Sequence, residues 1–270
     1  MIILRDKTYL EQKEFGVVEK LGKVINKHRS KIANKLEKDI TKDLELMKDA
    51  KRVRVKQPIL RSKKIEAGLK AEAESSGTLV TNARLDNKSS ASLSKGMKRD
   101  ELNNKIYETL NEDNPAALEE LKSKMDSKKK SDVISYPSNA SVQDLAHEVG
   151  HLKTKNLKGI KNKVANFISH KTKANDKIGE TVDAEASGKG KSGLGKAAAN
   201  YLRGKAIVRE EINANNEGRR LLKKHGLPDK FTKNVNDSYN AGEESYKAAS
   251  RIAWKSPLKN SIKPKNGRKN

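Results

Sequence analysis

The stretch Ser141-Val-Gln-Asp-Leu-Ala-His-Glu-Val-Gly-His-Leu-Lys153 constrains the fold of this chain more than any other. Ser141 is a helix-capping residue type, and Asp144 stands three residues later in the manner of a capping box. At 100° per residue, Val142, Leu145, Val149 and Leu152 fall on one side of the helix this predicts. His147 and His151 fall together on the other side. The helix must therefore pack through its aliphatic face and hold two imidazoles, one turn apart, on the face turned away. Gly150 removes side-chain bulk near the histidines and lets another segment approach closely.

Two histidines at i and i+4 can reach one metal ion. Glu148 follows the first of them and points about a quarter-turn away, where a carboxylate can reach water beside such an ion and act as a general base. The chain has only five histidines, so this spacing is a specific signal. The competing reading is a surface helix with two idle histidines.

A zinc site needs at least one more protein ligand. His170, His225, Glu180, Glu185, Glu210 and Glu211 all lie downstream. In Lys205–Lys224, Ile207, Val208, Ala214, Asn215, Gly218 and Leu222 share a helix face with Glu211, while Glu210 stands about 100° off it. A carboxylate among small and apolar residues is costly unless it is paired, and a metal is a good partner. Glu211 is the preferred third ligand. Glu180 and Glu185 lack a supporting face, and His225 reads as a helix C-terminal residue.

Around these anchors the expected fold class is α+β and mostly helical. A helix over about 17–50 follows from Leu21, Ile25, His28, Ile32, Leu36, Ile40, Leu44 and Met47 at spacings of three and four. On it His28 reads as a packed residue. Further helices are predicted near 60–75, 98–111, 115–126, 156–173, 196–224 and 228–253. Short strands are predicted at Thr78–Thr81 and at Asp132–Tyr136, with a loop over 85–96. Residues 173–195 are rich in glycine, serine and charge and read as a flexible crossing. Gly190-Lys191-Ser192 is not a phosphate loop, because Glu185 stands where its first glycine belongs. The division expected is a basic helical extension over 1–76, a domain over 77–254 and a disordered basic tail over 255–270.

Composition bounds what is left. Charged residues make up 35 % and aromatics 4 %, little core material for 270 residues. The net charge of +24 points to polyanions or anionic membrane surfaces, although lysines spread this evenly also suit a solvated surface. There is no cysteine, which excludes disulfides and thiolate metal sites. No apolar run reaches the roughly 20 residues of a membrane helix, and the start of the chain lacks a secretory signal pattern. A cytoplasmic protein, or one packaged from a cytoplasm into a virion, is expected.

The segment Leu145–Leu152 resembles the active-site helix of zincin metallopeptidases. Glu211–Leu222, with Ala-Asn at the turn after the glutamate and a leucine pair at 221 and 222, resembles the third-ligand helix of the ImmA/IrrE-like group of gluzincins. The likeness covers roughly 77–225 and is sharp in those two helices. It implies a zincin-like domain with a small sheet and zinc on His147, His151 and Glu211. It also implies catalysis by Glu148 on a protein or peptide substrate, an extended peptide bordered by the strand at 132–136, and Asn215 and Asp144 as residues that orient ligands. Tyr201, Tyr239, His170 and His225 all remain open as the oxyanion stabiliser. The alternative from another class is a catalytically silent, zincin-like structural or DNA-associated protein of a phage or mobile element, using its basic surface and tail for non-specific nucleic-acid contact. A third idea is membrane-surface contact by residues 187–208.

Overall fold

The computed structural model describes residues 3–56, 59–85, 91–109, 114–126, 130–137, 140–154, 164–165, 167–168 and 172–263. In chain order the elements are α1 (Ile3–Lys56), α2 (Lys63–Glu74), β1 (Leu79–Thr81), β2 (Ser92–Lys98), α3 (Arg99–Thr109), α4 (Pro115–Asp126), β3 (Lys130–Ser135), α5 (Val142–Thr154), α6 (Ala174–Ala186), α7 (Leu194–Lys224) and α8 (Asp229–Ile262). The protein is mostly helical with one small mixed sheet of order β1-β3-β2. β1 runs parallel to β3 and β2 antiparallel to it.

One core joins the sheet to the helices that carry the candidate site. Val142, Leu145, Val149 and Leu152 of α5 meet Ile65, Leu69 and Ala73 of α2, Ile134 of β3, and Leu221 and Leu222 of α7. Full burial of each large aliphatic side chain contributes roughly 1.5–3 kcal/mol, so the apolar face of α5 is the main anchor of that helix. Ser141 and Asp144 form the expected reciprocal cap. The Ser141 hydroxyl accepts from the amide of Gln143 (3.3 Å) and Asp144 accepts from the amide of Ser141 (3.4 Å). α5 and α7 approach closely through small residues: a Cβ on Gly150 would stand 2.3 Å from the carbonyl oxygen of Ala214, and one on Gly218 3.2 Å from that of Ala146.

Several sequence expectations need correction. The loop expected over 85–96 contains β2, an edge strand. Its Ser, Lys and Gly residues hide the strand pattern, and a bulge between Ser94 and Met97, with Gly96 at φ +61°, breaks the alternation. Residues 174–186 are not a flexible crossing but helix α6, seated by Ile178 and Val182 against Ile207 and Ile252. Residues 255–262, placed in a disordered tail, are the last two turns of α8. Lys255 and Lys259 are buried there because Asp39, Asp43, Glu37 and Glu185 pair with them. α2, assigned to an N-terminal extension, belongs to the core around α5. His28 is exposed rather than packed. Most of the helix expected over 156–173, including His170, and the tail residues 264–270 lie outside the described residues.

Candidate metal centre

α5 and α7 together bring His147, His151 and Glu211 to one point. One ligand atom from each lies within 4.8 Å of the others, a group able to hold a metal ion. Nε2 of His147 is 3.1 Å from Nε2 of His151 and 3.2 Å from Oε2 of Glu211, and Nε2 of His151 is 3.7 Å from Oε1 of Glu211. Around a tetrahedral ion with bonds near 2.0–2.1 Å, neighbouring ligand atoms stand about 3.3 Å apart.

The protonation pattern fits a cation at that point. The side-chain nitrogen of Asn215 donates to the carbonyl of Tyr239 (3.4 Å) and to Oε1 of Glu243 (3.2 Å). Both partners are acceptors, so the amide oxygen of Asn215 must face His147, where it accepts from Nδ1–H at 2.8 Å. In neutral His147 the lone pair of Nε2 is then aimed at His151 and Glu211. Oε2 of Glu211 is buried and lacks a hydrogen-bond partner. A lone pair facing a buried, unsatisfied carboxylate oxygen is stable only with a proton or a metal between them.

The electrostatics of these side chains agree. Burial disfavours the His147 imidazolium, but the Glu211 and Glu148 carboxylates outweigh it and push His147 up to about 9. Burial raises Glu211, yet His147 and His151 draw it well below the usual carboxylate range. Burial pushes Glu148 up, opposed by the same two imidazoles.

The group opens into a cavity of about 580 Å³, whose wall includes Glu148, Tyr239, Tyr246, Lys95 and Arg54. β3 does not line it. The strand at 132–136 was expected to border the cleft, but it is the central strand, paired on both edges, and β2 contributes Ser92, Leu93 and Lys95 instead. Asp144 caps α5 and stands 3.9 Å from Arg54 at the cavity wall. Among the other candidates, Glu180 pairs with Lys177 and Glu185 with Lys259 and Ser256. His225 caps α7 beside Glu72, and Tyr201 is exposed against Trp254. Tyr239 is at the site, but its hydroxyl donates to the carbonyl of Gln143 (2.8 Å), which commits it to structure.

Two residues escaped the sequence reading. Glu210, set aside as off the inward face, is buried. It accepts from Lys95 of β2 (2.9 Å) and stands 3.7 Å from Nδ1 of His151. Tyr246 reaches the cavity from α8, and burial, helped by the Glu211 and Glu148 carboxylates, holds its phenol protonated far above the usual range. Glu210 was within reach of the 100° argument, had a basic partner on the facing strand been known. No local signal marks Tyr246.

Against models of known families, curated proteins and solved structures, the chain matches none.

Proposed function

We propose that this protein is a zinc-dependent metallopeptidase of the zincin type, similar in its two ligand helices to the ImmA/IrrE-like group. The observation that carries the reading is the buried Oε2 of Glu211, without a hydrogen-bond partner, 3.2 Å from Nε2 of His147, whose Nδ1 is engaged by Asn215. The donor set of two imidazoles and one carboxylate suits zinc and leaves a position for substrate. Zinc held by His147, His151 and Glu211 supplies the Lewis acidity that lowers the pKa of water at the site to about 7.

The chain's own groups do the rest. An extended peptide lies along the edge strand β2, with its scissile carbonyl directed at the centre. Glu148 accepts the proton of the attacking water as the new C–O bond forms, then passes it to the amine nitrogen as the C–N bond breaks. Tyr246, kept neutral, donates to the oxygen on which negative charge develops. Asn215 orients His147, and Glu243 with Arg219 orients Asn215.

The test is hydrolysis of a mixed protein substrate by the zinc-loaded chain, with Glu148→Gln beside it. Cleavage by the wild type and none by the variant supports the reading. Equal cleavage by both removes Glu148 from the reaction, and no cleavage by either leaves a metal-binding protein without this activity.

A further inference from the structure

Asn215 orients one imidazole of the centre; the other has a different neighbour. Nε2 of His151 faces Nε2 of His147 at 3.1 Å and Oε1 of Glu211 at 3.7 Å, so Nε2 is the atom turned to the point where the three ligands meet. The proton of the neutral ring then belongs on Nδ1. That nitrogen is buried and has no hydrogen-bond partner. A metal-ligating imidazole almost always gives this proton to a carboxylate, a carbonyl or water. The carboxylate facing it is Glu210, with Oε1 3.7 Å away.

Glu210 and Glu211 are consecutive and both buried, although their side chains leave α7 about 100° apart. A buried carboxylate is costly unless a charge meets it. Lys95 of β2 does so, because its Nζ donates to Oε1 of Glu210 at 2.9 Å, the same oxygen that faces His151. One carboxylate oxygen can accept two such bonds.

The bulge in β2 delivers that lysine. Leu93 pairs with Ile134 on the α5 side of the sheet, and Ser94 pairs with Val133, whose side chain joins the core under α3 and α4. Strict alternation from Leu93 would put both Lys95 and Met97 on the α5 side. The bulge adds one residue before Met97, which pairs with Ser131 and packs with Val133 in the other core. Lys95 therefore stays on the cavity side with Leu93. Gly96 takes the φ of +61° in the bulge, and its amide donates to Oδ1 of Asp132 at 2.7 Å.

We propose that Glu210 is the positioning residue for His151: its carboxylate, held by Lys95, accepts from Nδ1–H and keeps Nε2 turned to the centre. Closing the gap by about 0.8 Å, a small turn of either side chain, gives a charge-assisted hydrogen bond. His147 is thus held through Asn215 and α8, and His151 through Glu210 and the sheet. The role rests on zinc binding by His147, His151 and Glu211. Its rival is a fastener, in which the Lys95–Glu210 pair ties α7 to β2 and does nothing for the centre.

Glu210→Leu combined with Lys95→Met removes both charges and keeps apolar bulk, so a mere fastener is replaced at little cost. Zinc affinity is measured by chelator competition, and Tm on the metal-free chain. The double variant should bind zinc 10–100-fold more weakly than wild type, with a metal-free Tm close to wild type. In the zinc-loaded wild type, nitrogen-15 histidine NMR should find the His151 proton on Nδ1, downfield and slow to exchange. Glu210→Gln, which keeps the shape and a weaker acceptor, should move that resonance upfield. A double variant that binds zinc as tightly as wild type overturns the proposal. So does a proton on Nε2, or a resonance that Glu210→Gln leaves in place. A wild type that binds no zinc removes the metal centre and this role together, whereas the other adverse results remove the role alone.

Discussion

Asn215 decides which nitrogen of His147 faces Glu211. Its amide oxygen accepts from Nδ1 at 2.8 Å, while its nitrogen is committed to Tyr239 and to Glu243, which Arg219 holds in turn at 3.2 Å. Partners of this kind are worth 10–100-fold in metal affinity. Asn215→Ala is expected to weaken zinc binding within that range, and Glu243→Gln by less, since the glutamine oxygen can still accept from Asn215. Competition with a chromogenic chelator measures both. Unchanged affinity in Asn215→Ala would show that the ring is held by packing alone.

Glu148 lines the cavity without being one of the three converging ligands. Glu148→Gln should keep zinc at wild-type occupancy and lower peptide hydrolysis by at least a hundredfold, in line with the loss of a general base. On the proposed mechanism Tyr246→Phe should lower kcat with little change in KM, because the hydroxyl would serve charge that appears only in the transition state. Steady-state kinetics on one peptide separates the two.

Gly150 has no room for a side chain, because a Cβ there would sit 2.3 Å from backbone oxygen of Ala214. Gly150→Ala must push α7 away from α5, at a cost of about 1–3 kcal/mol. That shift moves Glu211 relative to both histidines. Thermal unfolding should drop and zinc affinity should fall with it. A variant as stable as wild type would show that the two helices slide freely.

Glu72 of α2 joins α5 and α7, through Lys153 at 2.9 Å and through Lys224. The Lys224 and Lys153 ammonium groups hold its carboxyl down at about 2, against an ordinary value near 4.5. A carboxyl lowered on folding stabilises the protein above its unfolded pKa, and that contribution fades as pH falls from about 4.5 towards 2. Glu72→Gln should therefore cost about 1 kcal/mol at pH 7. It should also flatten the loss of Tm between pH 5 and pH 3. Parallel Tm–pH curves for the two proteins would contradict this.

What could be read from the chain follows the range of the forces involved. The amphipathic split of α5 and the small-residue face around Glu211 are local periodicities, and both placed their side chains at the cavity. β2 was missed because an edge strand of Ser, Lys and Gly with a bulge has no alternation to detect. The sequence of helix α6 reads as a flexible crossing because its charge obscures Ile178 and Val182. The burial of Glu210 depends on Lys95, 115 residues earlier, and the position of Tyr246 depends on the antiparallel packing of α8. Such pairings are set by tertiary packing, which periodicity in one segment does not encode.

Metal content after exhaustive dialysis against a metal-free buffer tests the central claim most directly. The wild-type chain should retain about one zinc per molecule, and His147→Ala, His151→Ala and Glu211→Gln should each lose it while staying helical. A wild type that holds no metal when zinc is supplied, or variants that keep it as well as the wild type does, would contradict the account.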